Sequence, residues 1–595
     1  MTYQSVTAPT MSGGLNLRDS PDQLSPDQAY DLLNVTFTAK GGVQSRPGYI
    51  HFGPSTDLTV ATTVAAATIT VTATSSFDTA GTLSIGTDTV TYTGKTATTF
   101  TGCSGITVVS AIGTSVQAAT ANRVDSMGSY YTGSAWQVCM GMGSRLETRS
   151  ATGNLVGSAV TSGVNASPHY FAKYGGAVDS YMYAANGTDQ VRRWSGASST
   201  WTTPTWTITN SAPNPTGKFL AVTGWDNRLV NARYSSTTGG QNKSSVRFSL
   251  PLLPESWDGF NWVDLTPGDG EPIMGMASYG NNLIVFKQTK YFVFYGTGTS
   301  SAGTAEFQYR AVDAGVGLAA EGLYCVGNEG VYFVSRKGVF RTDGGAPELV
   351  SDILDPLFTN AISPLYGGTA INFASISSAR MVEHRQQIFL AVPTGSSSYN
   401  DTVFVFDPRY SWWTRWDYPA ASLLSVDVSG ANDGPSLMFS LSTGNKTVEK
   451  VVPTAATDAG ATYQSRIKFG YSDLGVPASK TIRESQIWGI GTMRFAMAKD
   501  FAGSANATQL TLGNLTDTWG DGDPASTDKW ADGTNASDTW GGGQTGGVAT
   551  SRNAVRALIF GVEIYSASTP VAWTVSKIIH RMREQRVPSV QKTDR

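Results

Sequence analysis

Short apolar segments with period-two alternation, separated by Gly- or Asn-containing turns, are the feature that most limits how this chain can fold. Between about 122 and 475 they recur every 40 to 50 residues or so, and each unit supplies about three or four strands. They lie at 179–194, 224–234, 280–296, 322–345 and 386–416. Because units of that length, repeated about five to seven times, can stack radially, the pattern predicts a β-propeller-like body. An elongated double sandwich is the alternative that the degenerate repeat leaves open.

The composition favours strands and opposes several functional classes. Charged residues make up 15% of the 595 residues, Gly occurs 65 times, and long stretches of helical period are missing. A net charge of -3 opposes a protein that gains its affinity from neutralising phosphates, so contact with DNA is expected to be passive. Three cysteines, odd in number and far apart, fit neither a disulfide framework nor a metal knuckle. No apolar run approaches the roughly 20 residues of a membrane helix, and the start of the chain does not read as a signal peptide.

Changes of pattern divide the chain into four parts, and the fold class expected for all of them is all-β. Residues 1–54 read as an extended arm, a short helix and a first strand, whereas 55–121 is nearly free of charge and reads as a small inserted β-domain. The propeller-like body follows at 122–475. Longer alternating strands at 476–595 predict a C-terminal β-sandwich, interrupted by an acidic Trp/Gly linker at 516–543 and ending in a basic tail.

Two helices are predicted. In the first, Ser25 is the cap, Pro26 takes the first helical position and Gln28 completes a capping box, and the apolar stripe contains Ala29, Leu32 and Leu33. The second is expected at 349–362, where Ser351 or Asp355 caps a turn that contains Pro356.

Several stretches resemble a known family. The arm GGLNLRDSPDQL with LLNVTFTAKGGVQSRPGY resembles the N-terminal segment of phage head-to-tail and tail proteins. GNNLIVFKQTKYFVFYG, GVYFVSRKGVFRTDGG running into LVSDILDPLF, and VFVFDPRYSWWTRWDYP resemble repeats of the tail nozzle and packaged-DNA stabilisation proteins of short-tailed phages. The resemblance implies a structural virion protein, assembled in the host bacterial cytoplasm. It would form a homo-oligomeric ring, six-fold favoured, below the portal and its adaptor, and would continue the DNA channel and retain the genome until infection.

Residue motifs point to docking rather than to catalysis. The sequence has four histidines without metal spacing, and no nucleophile elbow or phosphate loop stands between a strand and a helix, so we expect no enzyme and no cofactor. The extended N-terminal arm is expected to reach a neighbouring subunit, and its interface candidates are Arg18, Asp19 and Arg46.

Two further readings are kept open. Asp521 and Asp523 in the acidic linker could provide oxygen ligands for calcium, although a solvated hairpin with packed tryptophans explains that pattern equally well. The aromatic runs at 257–262 and 409–416 could be stacking platforms, which makes a receptor- or glycan-binding tail-tip protein the alternative function; blade core is the competing explanation.

Overall fold

The chain is all-β, with 54% strand and 3% helix in a computed structural model. It divides into one unit made of 1–47, 364–367 and 456–595 and a second made of 48–363 and 368–455. The structure describes residues 4–584 except for 9, 39, 121, 157–163, 165–167, 176–179, 197–199, 210–218, 220, 236–240, 297–306, 364, 365, 367, 429–433, 445, 475–477, 501–506, 513–546, 552–554 and 568–571.

The N-terminal part contains strands where a helix was predicted. The prediction of a helix after Ser25 is wrong, because this segment forms a turn and then a strand. Half of the capping box does form, since the Ser25 amide donates to Gln28 Oε1 at 3.4 Å. The next residues then pair along residues 466–469, so long-range strand pairing overrides the local helical signal. The four strands here are β1 (Gln4–Thr7), β2 (Ala29–Leu33), β3 (Val35–Phe37) and β4 (Val43–Ser45).

One further strand and then the inserted domain follow. The insertion is a small domain of two sheets, one of three strands and one of four, around its own apolar core. Its strands run from Ser55 to Ala119. The strands are β5 (Gly48–His51), β6 (Ser55–Asp57), β7 (Thr68–Thr70), β8 (Gly81–Ile85), β9 (Asp88–Tyr92), β10 (Gly94–Lys95), β11 (Thr99–Thr101) and β12 (Ser115–Ala119).

The body consists of small antiparallel sheets in chain order, and seven of them occur within the described residues. Their strands are β13 (Ser126–Tyr131), β14 (Trp136–Met142), β15 (Arg145–Ser150), β16 (Tyr170–Gly175), β17 (Ser180–Ala185), β18 (Arg192–Trp194), β19 (Thr207–Thr209), β20 (Ala221–Trp225), β21 (Arg228–Ser235), β22 (Gln241–Leu250), β23 (Leu253–Asp264), β24 (Gly275–Tyr279), β25 (Asn282–Phe286), β26 (Tyr291–Tyr295), β27 (Gln308–Val312), β28 (Tyr324–Gly327), β29 (Gly330–Ser335), β30 (Gly338–Thr342), β31 (Glu348–Leu349), β32 (Arg380–His384), β33 (Gln387–Val392), β34 (Thr402–Asp407), β35 (Trp412–Trp416), β36 (Ala420–Val426), β37 (Ser436–Leu441) and β38 (Val448–Val452).

These sheets are the blades of a closed β-propeller. The strands β13, β16, β20, β24, β28, β32 and β36 contact one another in sequence, and β36 contacts β13 again, which closes the ring. The last blade is completed by β5, which pairs antiparallel with β38 although it precedes the insertion in the chain. Apolar side chains of adjacent blades share cores; Phe286 and Tyr291 of one blade pack against Phe333 of the next. Burial between blades, rather than within a single sheet, therefore stabilises the body.

Helical structure in the body is short. The predicted helix at 349–362 is present only as a 3-10 turn, Asp352–Leu354, followed by α1 (Asp355–Thr359), which has Pro356 in its first turn. Ser351 does not cap it, because its hydroxyl accepts the Val339 amide at 2.9 Å instead. A second 3-10 segment spans Phe373–Ser378.

The predicted C-terminal β-sandwich takes strands from both ends of the chain. Its long central strand, Lys480–Lys499, pairs with residues 574–584 over its first half and with residues 560–566 over its second half. β2, β3, β4 and β1 join this sheet, so residues 1–54 do not form a separate part. The remaining strands are β39 (Arg466–Phe469), β40 (Lys480–Lys499), β41 (Thr508–Leu512), β42 (Gly547–Ser551), β43 (Val555–Ala557), β44 (Phe560–Ser566) and β45 (Thr574–Glu584).

Candidate docking surfaces

The inserted domain carries an exposed aliphatic surface, which we call the insertion patch. It comprises five side chains that are 52% to 68% exposed, and they lie on two neighbouring loops. Its members are Val60, Val64, Val108, Val109 and Ile112. Scattered single apolar residues are normal on a protein surface, whereas a large contiguous apolar patch is typical of a site of interaction.

Hydrogen bonds hold the two loops of the insertion patch together. The Ser110 amide donates to Thr62 Oγ1 at 2.7 Å, and the Thr62 amide donates to the Ser110 carbonyl at 3.0 Å. Asp88 accepts the amides of Thr107 and Val108 at 2.8 and 2.9 Å. Although burial opposes ionisation, these hydrogen bonds keep the pKa of Asp88 below its ordinary value. The patch is therefore presented on a fixed frame at neutral pH.

The two aromatic runs considered from the sequence differ in exposure, although each has an exposed ring: Tyr410 in the run 409–416 is 48% exposed. Trp412, Trp413 and Trp416 are buried in their blade, as the blade-core explanation predicts. In the other run Phe260 is 69% exposed and Trp262 is 41% exposed. These two side chains on β23 form an aromatic platform.

Polar side chains from several blades interact around Tyr170. Tyr170 interacts electrostatically with Arg380 and Glu321, which belong to other parts of the ring, and burial raises the pKa of its hydroxyl. Glu321 in turn forms an ion pair with Arg233. Arg380 donates to the Asp125 carbonyl at 3.1 Å and to two further carbonyls. Polar side chains from several blades are thus paired with one another around Tyr170.

The three residues predicted to lie at an interface have different surroundings. Arg18 and Asp19 form an exposed ion pair at 3.1 Å, and hydrogen bonds from Arg18 and Asn16 lower the pKa of Asp19. Arg46, by contrast, is 0% exposed and binds Asp458 within its own chain. A single chain does not test an interface, but the position of Arg46 makes it an internal support of the fold.

Three histidines and one cysteine of the described residues are partly or fully buried. Burial lowers the pKa of His169, His384 and His580 to about 4 and raises that of Cys139 to about 12. Among the described residues no group of three or more His, Cys, Asp or Glu is arranged to hold a metal ion. The calcium candidates Asp521 and Asp523 lie outside the described residues. Within the described part, no helix is long and apolar enough to cross a membrane.

Sequence reasoning missed the insertion patch. Its signal was present, because valines and an isoleucine stand in loops at 59–65 and 107–113 rather than in the alternating strands. An apolar residue in a predicted turn has no core to enter, and that is the observation that could have revealed it.

Comparisons with known proteins bear on the fold alone. No family model matches the chain, and no curated protein matches it. Solved structures similar to it include U3-55K (7% identity, TM-score 0.35, covering 56% of this chain and 95% of that one). BBS1N, solved in complex with ARL6DN, is similar at 11% identity and TM-score 0.34 over 56% of this chain and 93% of that one. The WD40 repeats of RRP9 are similar at 7% identity and TM-score 0.34, over 56% and 94%.

These comparisons correct the family assignment made from the sequence. The similar structures are eukaryotic WD40-repeat β-propeller proteins and not phage tail proteins. The resemblance to tail nozzle and packaged-DNA stabilisation proteins is therefore wrong as a statement of family, because alternating strands with Gly turns are common to propellers of many functions. The likeness that remains is that of an all-β chain with a WD40-like β-propeller.

Proposed function

We propose that this protein is a non-enzymatic structural subunit that assembles with copies of itself through the insertion patch. The observation that carries the proposal is the cluster of exposed aliphatic side chains on hydrogen-bonded loops. The buried histidines and cysteines described above agree with it, because they leave no exposed nucleophile or base in those positions.

Charge favours a second copy as the occupant of the patch. Residues 55–121 contain only Asp57, Asp78, Asp88 and Lys95 as charged side chains. Asp88 binds its own loop, and Lys95 donates to the Thr74 carbonyl at 2.8 Å. A nearly uncharged surface gives no electrostatic steering to a charged partner, whereas it is complementary to an identical uncharged surface.

The finer form of the proposal is the one expected from the sequence: a ring in a virion tail that continues a DNA channel, with portal and adaptor proteins as neighbours. It is supported by the low net charge of -3, which would limit retention of DNA on the channel wall. In a ring of identical subunits, such a channel would run between the subunits.

The experiment compares the oligomeric state of matched variants of the full chain. Sedimentation velocity at micromolar concentration is expected to give an oligomer for the natural protein and mainly monomer for the double variant Val109→Asn, Ile112→Asn. Leu558→Asn is the control, because Leu558 is 57% exposed but lies outside the patch. A natural protein that stays monomeric, or a double variant that assembles normally, would contradict the proposal.

A second candidate function is recognition of a receptor or glycan by the aromatic platform. Phe260, 69% exposed, is the specific observation that favours it, because a large ring in solvent can stack on a sugar. Loss of binding to host cells or to a glycan array in Phe260→Ala would support this role. Unchanged binding of Phe260→Ala would contradict this role.

A further inference from the structure

A pocket of ≈ 340 Å³ with a mixed polar and apolar lining lies between the insertion and the first blade, and neither proposed function uses it. That volume is just above the lower limit of about 300 Å³ for small-molecule sites. Its polar lining comes from both sides: Asp78, Thr82, Thr91 and Tyr92 from the insertion and Arg145, Glu147 and Arg149 from β15.

The two walls of the pocket are tied together closely. Arg149 donates from Nη2 to the Ala119 carbonyl at 3.0 Å, across the junction of insertion and blade. Gly153 has a φ of +85°, and a Cβ at this position would lie 2.4 Å from the Gly53 Cα. Only glycine permits this approach of the two backbones, so the pocket is a built feature of the junction and not a gap between loosely joined parts.

The charges of the lining balance. Arg145 and Arg149 are opposed by Glu147 and Asp78, so the formal charges add to zero. The ion contacts are long: Glu147 lies 3.5 Å from Arg149 and 4.0 Å from Arg145. These side chains therefore keep hydrogen-bonding capacity that closer pairs would have used.

We propose that this pocket binds one neutral saccharide unit. Carboxylates of Glu147 and Asp78 accept hydrogen bonds from sugar hydroxyls, while the guanidinium of Arg145 donates to hydroxyl or ring oxygens. Donors and acceptors placed around one space match a polyhydroxylated ligand, whose hydroxyl groups can each both donate and accept a hydrogen bond. A polyanion would add negative charge beside Glu147 and Asp78 that the two arginines already balance, and an apolar ligand would remove water from the four charged groups without giving them hydrogen bonds.

The test is a titration of the full chain, followed by saturation-transfer NMR and calorimetry. The probes are glucose, galactose, mannose and N-acetylglucosamine, with inorganic phosphate and citrate as charged probes. At least one sugar is expected to bind with a dissociation constant of about 1 mM or lower. Arg145→Ala and Glu147→Gln are each expected to weaken that binding about tenfold, because each removes a charged hydrogen-bond partner.

Controls separate this pocket from the other proposed sites. Arg145 is 31% exposed and Glu147→Gln is nearly isosteric, so both variants are expected to fold, and their melting temperatures check this. Arg556→Ala, which removes an exposed arginine far along the sequence, should bind as the natural protein does. Phe260→Ala should also leave this binding unchanged, which distinguishes the pocket from the aromatic platform.

Three outcomes would overturn the proposal: no sugar binds at millimolar concentration, the two pocket variants bind as tightly as the natural protein, or phosphate or citrate binds in place of the sugars. None of them would affect self-assembly through the insertion patch, whose test is the oligomeric state.

Discussion

The buried ion pair of Arg46 and Asp458 gives the sharpest prediction about stability. The Arg46 guanidinium binds both carboxylate oxygens of Asp458, at 2.8 and 2.6 Å, and donates from Nε to Asn34 Oδ1 at 2.8 Å. It also lies 4.0 Å from the centre of the Tyr463 ring. The side chains of Arg46 and Asp458 are 0% and 14% exposed. Water could therefore replace few of the hydrogen bonds that a substitution of Arg46 removes.

Arg46→Met should therefore lower the free energy of unfolding of the unit made of 1–47, 364–367 and 456–595 by about 3 to 5 kcal/mol, since it removes the arginine that binds the mostly buried carboxylate of Asp458. Hydrogen exchange measures this locally, because the amides of β2 and β3 report the opening of this unit. Arg18→Ala is the matched control: its ion pair with Asp19 is exposed, with the arginine at 48%, and should contribute less than about 1 kcal/mol.

The reasoning fails if Arg46→Met costs no more than Arg18→Ala. It is also refuted if the double variant Arg46→Met, Asp458→Leu is no more stable than Arg46→Met alone, because removing the orphaned carboxylate should restore part of the loss.

Two further predictions concern acid and the insertion. Burial holds the pKa of His580 at about 4, below its ordinary 6.5, so the folded state binds fewer protons than the unfolded chain and stability falls as pH drops from about 6.5 to about 4. The loss should reach about 3 kcal/mol at pH 4, and His580→Asn should show a smaller fall in melting temperature between pH 7 and 4.5; an equal fall would contradict the assignment. Gly153→Ala should weaken attachment of the insertion by about 2 kcal/mol or more, and limited proteolysis between 55 and 121 that is no faster than in the natural protein would contradict this.

The insertion shows what local pattern can predict. Period-two alternation at 68–73, 81–86 and 88–94 predicts strands within the insertion, and β7, β8 and β9 lie there. In these segments the alternation of apolar and small residues, the turn chemistry and the burial all favour the same structure. The propeller repeat was predicted for the same reason.

The errors arose where distant pairing decides the structure. Ala29–Leu33 has a helical cap before it, yet pairs with residues 466–469, about 430 positions later. β5 completes the last blade by pairing with residues 448–452, which follow it by about 400 positions. Its four residues contain no signal that predicts this partner. Arg46 stands in a Pro/Gly-rich stretch that reads as an exposed arm, but the acceptor that buries it, Asp458, is equally remote. The pocket beside Arg145 could not be predicted either, because it forms only where the insertion meets β15.

The most direct test of the central claim is electron microscopy of the purified full-length protein. Self-assembly of a structural subunit predicts closed rings of identical copies, with an axial hole between subunits, and their loss in the variant Val109→Asn, Ile112→Asn. Uniform monomers at concentrations of about 10 μM would contradict it, because no second copy would then be bound to the insertion patch.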